Sequence, residues 1–160
     1  MPDRSKLKEK RDYVIIALLV ACALRRQELA TLKVEDIQLR EGRWVIIDLL
    51  GKGGRIRTVA IPIWVKQGMD AWMTAAKIEK GRLLRRLSKS GKIVGDELGD
   101  RPIWSVVEQS SKQIGIEHFG AHDLRQALPE EWWRSRSDQI SARSLLDPDH
   151  RTLSGVGAGY

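Results

Sequence analysis

Apolar runs alternate with short charged or glycine-rich breaks along the chain, and this pattern predicts its elements. The most apolar run, residues 14–24 (VIIALLVACAL), predicts a buried helix over about residues 10–24, and the charged residues 1–12 are expected to form a solvated lead-in to it. A helical pattern restarts over residues 25–32, with Leu29 and Leu32 on one side. We therefore expect a helix, a tight break and a second, short helix.

Residues 44–62 predict a β-hairpin. Strand formers (WVIIDL) are followed by a glycine-rich turn (GKGG) and then by a segment in which polar and apolar residues alternate (RIRTVAIP). The alternation places Arg55 and Arg57 on the same face as Val59 and Ile61. The tip of the hairpin is therefore strongly basic.

The rest of the chain adds more helices. Apolar residues spaced by three and four predict a helix over residues 64–78, and residues 81–99 are expected to form an exposed, basic connection. A helix over residues 102–114 has Pro102 near its first turn, where a proline costs little. The expected fold class is α+β, mainly helical, with a small antiparallel sheet.

Composition narrows the classes of protein to consider. A chain of 160 residues is long enough for one domain, and its formal charge of +7 makes a polyanion a plausible partner. Its single cysteine, Cys22, excludes a disulfide framework and a cysteine-based zinc site, which fits a cytoplasmic location. The apolar run is shorter than the roughly 20 residues of a membrane span, and polar residues follow Met1, so we expect neither a membrane partner nor a secretory signal.

Three clusters carry the candidate chemistry: Arg25 with Glu28 at the helix corner, Lys52 at the hairpin tip, and His122 with Arg125 at a later helix start. Fixed cations of this kind neutralise the charge that develops on phosphate oxygens, so the set describes a phosphodiester site that needs no metal or other cofactor. Taken singly, each cluster has a plainer explanation: a helix C-terminal arginine, a polar turn residue and a solvated first turn. Those explanations do not account for the order in which the three clusters follow one another along the chain.

The order Arg-x-x-Glu-Leu, Gly-Lys-Gly and His-x-x-Arg resembles the tyrosine recombinase or phage integrase family over about residues 10–125. The resemblance implies double-stranded DNA as partner and a tyrosine that attacks a DNA phosphate, giving a phosphotyrosine intermediate in site-specific recombination or integration.

The resemblance also implies a role for each matching residue. Arg25, Arg125 and His122 would stabilise the transition state, Lys52 would protonate the leaving hydroxyl, and Glu28 would support the corner. We assign DNA phosphate contacts to Arg55 and Arg57. Arg26, beside Arg25, is a weaker match to the first arginine.

The resemblance ends at residue 125. Pro129 interrupts an expected helix and the adjacent Trp132 and Trp133 fit no amphipathic period. Read one nucleotide later, with permitted codons, residues 126–160 encode a family-like ending that contains L-L-G-H-S-S-I-Q-T-T-E-R-Y. We therefore predict a frameshift near residues 125 and 126, leaving a partial catalytic domain over residues 1–125 and an aberrant, poorly ordered tail over 126–160.

The frameshift would put the true nucleophile out of frame, across the codons of Leu153 and Ser154. Tyr160 remains as an in-frame candidate, but it follows a glycine-rich stretch as the last residue, and we expect it not to act as a nucleophile. Tyr13 belongs to the first helix and is expected in the core.

Two functions stay open for this chain. One is the recombinase function of the family, in a fragment that is catalytically defective. The alternative is a non-catalytic DNA-binding protein that keeps the basic phosphate-binding groove. A basic domain with no nucleic-acid partner is a third reading. Family members assemble on DNA, but we do not expect self-association of this fragment.

Overall fold

The computed structural model of the chain describes residues 6–113. Along these residues the elements are α1 (Leu7–Ala21), α2 (Arg26–Thr31), β1 (Ile37–Arg40), β2 (Arg43–Leu50), β3 (Ile56–Ala60), α3 (Ile63–Ala76) and α4 (Asp100–Gln113). Short 3-10 turns, Val34–Asp36 and Lys52–Gly54, precede β1 and β3. The order of helices and strands agrees with the predicted mainly helical class with a small antiparallel sheet.

Helix α1 is the centre of the core. Its apolar residues are buried on every side, since α2, α3 and α4 all pack against it. Tyr13 is buried there, as predicted, with its ring against Gly68 of α3. The helix starts and ends three residues earlier than the pattern predicted: the Glu9 carboxylate accepts the Lys6 backbone N–H at 3.2 Å, and Ala23 turns the chain with a left-handed φ of 51°.

The charged lead-in is not solvated throughout, contrary to the prediction. Arg11 and Asp12 are buried in α1. Nε and Nη2 of Arg11 donate to Asp12 Oδ1 at 3.0 and 2.8 Å, and Lys8 Nζ donates to Oδ2 at 2.8 Å. Because cationic donors bond both carboxylate oxygens, the cost of burying the charge is compensated.

The sheet is antiparallel, in the order β1-β2-β3. Its first strand was not predicted, because four residues carry too little alternation to identify a strand. Between β2 and β3 the register shifts by one residue at a bulge, where Asp48 takes a positive φ of 54°. The bulge allows Ile46 and Leu49, an odd number of residues apart, both to face the core.

The connection from α3 to α4 is more buried than its composition predicted. Leu83, Leu84 and Leu98 lie in the core, although charged residues surround them in the sequence. The Trp72 indole N–H donates to the Leu83 carbonyl oxygen at 2.8 Å. This buried bond fixes the start of the connection against α3.

Helices α3 and α4 confirm the remaining predicted elements to within two residues at each end. Pro102 is the third residue of α4, where its missing N–H has no helical partner to lose. Within residues 6–113 no helix has the length and apolar character needed to cross a bilayer.

Candidate functional site

Arg25 lies at the corner between α1 and α2. Helix α1 ends at Ala21, so Arg25 is not the terminal arginine of that helix; it occupies the N-cap position of α2 instead. Its backbone N–H donates to Glu28 Oε2 at 2.8 Å, a bond that satisfies one free donor at the start of the helix. The side chain of Arg25 is 61% exposed and available to a ligand.

Glu28 is the buried centre of this corner, with a side chain only 5% exposed. One oxygen, Oε2, accepts both the Arg25 N–H and, at 2.7 Å, Nη2 of Arg57. The other, Oε1, lies 3.6 Å from Arg25 Nη1 and has no hydrogen-bond donor among the described residues. A single carboxylate therefore joins α2 to β3 and faces two guanidinium groups.

Arg57 is on the inward face of β3, which it shares with the partly buried Val59. Its Nη2 bonds Glu28 and lies 3.5 Å from the carbonyl oxygen of Ala23, in the turn after α1. Sequence reasoning did not find the link to Glu28, which is 29 residues away. The alternation of β3 carried a signal, because it put Arg57 on the same face as apolar residues.

The hairpin tip approaches Arg25 through Gly51. The Gly51 N–H donates to the Arg55 carbonyl oxygen at 2.8 Å, and the two glycines after Lys52 have φ values of 78° and 74° that most side chains avoid. A Cβ atom on residue 51 would lie 3.4 Å from Arg25 Nη1 and 3.3 Å from the Arg55 oxygen. The Arg25 guanidinium thus packs on the backbone that leads into Lys52.

Arg26 points elsewhere. Its guanidinium carbon lies 5.2 Å from the centre of the Trp104 ring on α4, a cation–π contact that links α2 to α4. Of the two neighbouring arginines, Arg25 is therefore the one that faces the hairpin. Arg55, at the end of the turn, is exposed to solvent.

The structure brings together Arg25, Glu28, Arg57 and Gly51, a set that we call the basic corner. His122, Arg125 and Tyr160 lie outside the described residues, as does the tail to which the frameshift was assigned; of Lys52 the structure describes the backbone and not the side chain. Tyr13, the other tyrosine, is buried in the core. Residues 6–113 contain no group of three His, Cys, Asp or Glu side chains placed to hold a metal ion.

Chemically, the basic corner fits an anion with several oxygens. Two guanidinium groups share one carboxylate, so one positive charge is left over, and it is carried by the more exposed arginine, Arg25. A guanidinium keeps its charge at all physiological pH values and offers two parallel donors to a phosphate. The backbone of the hairpin tip borders the space in front of it.

The comparisons with known proteins agree on one family. The family model described as "Phage integrase family" matches residues 2–156, a longer range than the residues 10–125 over which the sequence motifs were recognised. Similar proteins include tyrosine recombinase XerC of Thermodesulfovibrio yellowstonii, 27% identical over 96% of this chain and 50% of its own length. Tyrosine recombinase XerA of Thermococcus kodakarensis is 31% identical over 91% of this chain and 49% of its own length. The chain thus spans about half the length of these relatives.

Solved structures show the same fold. The XerH site-specific recombinase, in a crystal structure bound to its difH substrate before cleavage, superposes with a TM-score of 0.58 and 23% identity, over 87% of this chain and 40% of that one. The XerA recombinase gives a TM-score of 0.54 at 18% identity, over 90% of this chain and 59% of the other. The predicted fold, a recombinase catalytic domain with a small antiparallel sheet, is thereby confirmed.

Proposed function

The chain belongs to the phage integrase family, and from this premise we propose that it is the catalytic domain of a tyrosine recombinase, which binds double-stranded DNA in the cytoplasm. One observation carries the proposal: the Arg25 guanidinium packs on Gly51, so the backbone of the Gly-Lys-Gly turn lies next to Arg25 although the two are far apart in sequence. A phosphate at that place would be held by the charge that Glu28 leaves unpaired.

In the proposed reaction a tyrosine attacks a DNA phosphate and the 5′ oxygen leaves, so that one phosphodiester is exchanged for a phosphotyrosine without metal or nucleotide. Arg25 would neutralise the charge on the non-bridging oxygens, and Lys52 would protonate the leaving oxygen. His122 and Arg125 would complete the cationic set. Arg55, exposed beside the turn, would contact a neighbouring phosphate. Recombination would follow when the freed hydroxyl of another strand attacks the phosphotyrosine.

We further propose that this chain does not complete the reaction, because its nucleophile is encoded out of frame. Tyr13 is buried in the helical core and could not reach DNA without unfolding. Tyr160, the remaining tyrosine, follows a segment in which three of five residues are glycine, and such a segment is poorly suited to hold a nucleophile at attack distance. Non-catalytic DNA binding is the alternative function that the same basic corner supports.

DNA binding is the first test of the proposal. Titration of a labelled duplex at several salt concentrations should show an affinity that falls steeply as salt rises, because bound cations release counterions from DNA. Arg25→Ala should weaken binding by about tenfold, the value of one charge-assisted contact. The control is Lys89→Ala, which removes an exposed charge from the connection after α3. Equal losses in the two variants would mean that binding follows overall charge and not this site.

Covalent trapping separates an enzyme from a binding protein. A nicked suicide duplex releases a short strand after attack, so an active recombinase stays attached to DNA in a denaturing gel. We expect binding without a covalent adduct for the present chain. An adduct would instead establish an active nucleophile within it.

A further inference from the structure

Glu28 lies between two arginines that differ in how they are held. Arg57 makes a short contact to Oε2, 2.7 Å long, and its side chain is 40% exposed. Arg25 is 61% exposed and stands 3.6 Å from Oε1, beyond hydrogen-bonding distance. The carboxylate is thus bonded closely to Arg57 and only loosely to Arg25.

Removing Arg57 would change this balance. A carboxylate with a 5% exposed side chain needs a cationic partner, and its desolvation is expensive without one. Among the described side chains, the cation that remains within ion-pair distance is the Arg25 guanidinium, and Oε1 already faces it with no hydrogen bond from the described residues. A small rotation of either side chain would close the gap of 3.6 Å to a bidentate pair.

We propose that Arg57 is a positioning residue that neutralises Glu28 and so keeps the charge of Arg25 available to a DNA phosphate. Its guanidinium acts through Glu28 rather than on the DNA. The inference rests on the proposed function, because it assumes that Arg25 binds phosphate. It differs from the expectation that Arg57 itself contacts phosphate, and the two roles predict different results.

The distinguishing experiment is a set of variants in the full chain, titrated with a fluorescein-labelled duplex at several salt concentrations. Arg57→Ala should weaken binding about as much as Arg25→Ala, roughly tenfold, and should lower the slope of log Kd against log salt by about one. The double variant Arg25→Ala/Arg57→Ala should be no weaker than either single variant. A residue with a purely structural role would not change the salt slope.

Rescue by Glu28→Gln is the decisive arm. In Arg57→Ala/Glu28→Gln the neutral amide no longer captures Arg25, so affinity and salt slope should return to those of the parent chain. Circular dichroism and urea unfolding establish that each variant is folded. If Arg57→Ala does not fold, Arg57→Gln, which keeps an amide donor for Glu28 but no charge, replaces it in every arm.

Three results would overturn the inference. Additive losses in the double variant with no rescue by Glu28→Gln would mean that Arg57 touches phosphate directly. Parental affinity in Arg57→Ala, with Arg25→Ala still weakened, would mean that Arg25 does not depend on Arg57. Parental affinity in Arg25→Ala would remove the phosphate site of the proposed function and the inference together.

Discussion

The backbone of Gly68 in α3 passes so close to Tyr13 in α1 that a Cβ atom on residue 68 would lie 2.5 Å from Cε1 of the tyrosine ring. The glycine is thus required by packing, since its position in a helix would otherwise favour alanine. It allows α1 and α3, the helices on which the core depends, to approach each other around a buried aromatic ring.

Replacing Gly68 should therefore destabilise the fold. Gly68→Ala should lower the free energy of unfolding by about 1–3 kcal/mol, because overpacking the Tyr13 ring outweighs the better helix propensity of alanine. Urea unfolding followed by circular dichroism measures the change. Gly99→Ala is the matched control: its Cβ would meet nothing closer than 3.9 Å, and stability should stay within about 0.5 kcal/mol. A more stable Gly68→Ala would contradict the packing.

Trp72 should stabilise the fold through its indole N–H as well as through its buried volume. Trp72→Phe removes the indole N–H that bonds the Leu83 carbonyl and leaves that buried oxygen without its donor, so we expect a loss of about 2–4 kcal/mol in unfolding free energy. Trp104→Phe keeps an aromatic face for Arg26 and only weakens a partly exposed cation–π contact, so we expect it to cost less than about 1 kcal/mol. Equal costs would mean that the bond to Leu83 contributes nothing.

A feature could be predicted from the sequence when the residues that determine it are close together along the chain. The hairpin followed from local chemistry, because strand formers flank a turn with two glycines that take positive φ. The limits of α1 did not, since they depend on Glu9 bonding Lys6 and on the left-handed residue Ala23. Leu83 and Leu84 were assigned to an exposed connection because their sequence neighbours are charged. Their burial instead follows from tertiary packing, which includes the bond from Trp72 of α3 to the Leu83 carbonyl oxygen.

The candidate site shows the same division. The resemblance of motifs identified Arg25 and Glu28, and the structure adds that they share a buried corner with the hairpin. The bond from Glu28 to Arg57 joins a helix to a strand, and no local pattern specifies which carboxylate an inward arginine meets. The roles of Lys52, His122 and Arg125 stay predictions.

Gly51 should control the position of Arg25 without controlling the fold. Its φ of −87° suits any residue, but an added methyl group would lie 3.3 Å from the Arg55 carbonyl oxygen and touch Arg25 Nη1 at 3.4 Å, so the hairpin tip would have to shift slightly relative to the guanidinium. We expect Gly51→Ala to weaken duplex binding by up to about tenfold while the unfolding midpoint stays near that of the parent chain. Gly99→Ala serves again as the control. Unchanged affinity would show that Arg25 binds DNA independently of the hairpin tip.

Cys22 should make stability fall in alkaline solution. Burial raises the pKa of its thiol from 9.0 to about 12, and its sulfur lies 3.7 Å from the Ala60 carbonyl oxygen. Above pH 9 the unfolded chain loses the thiol proton while the folded chain keeps it, so unfolding is favoured by about 1.4 kcal/mol per pH unit until the folded pKa is reached. Below pH 9 both states are protonated and the effect vanishes.

Comparison with Cys22→Ala isolates that slope, because every other titrating group is common to both chains. The unfolding free energy of the parent chain should fall relative to the variant between pH 9 and 10.5, by about 2 kcal/mol. Parallel curves would show that the thiol is not buried in solution.

The reading frame after residue 125 gives the last prediction. A gene in which the ending is shifted by one nucleotide should encode the L-L-G-H-S-S-I-Q-T-T-E-R-Y segment, and its product should form a covalent adduct on a nicked suicide duplex because the nucleophile is restored. Tyrosine to phenylalanine in that restored segment should abolish the adduct. The present chain and its Tyr160→Phe variant should both give none, with the same affinity for duplex DNA. An adduct that forms with the present chain and disappears in Tyr160→Phe would instead identify Tyr160 as the nucleophile and remove the need for a frameshift.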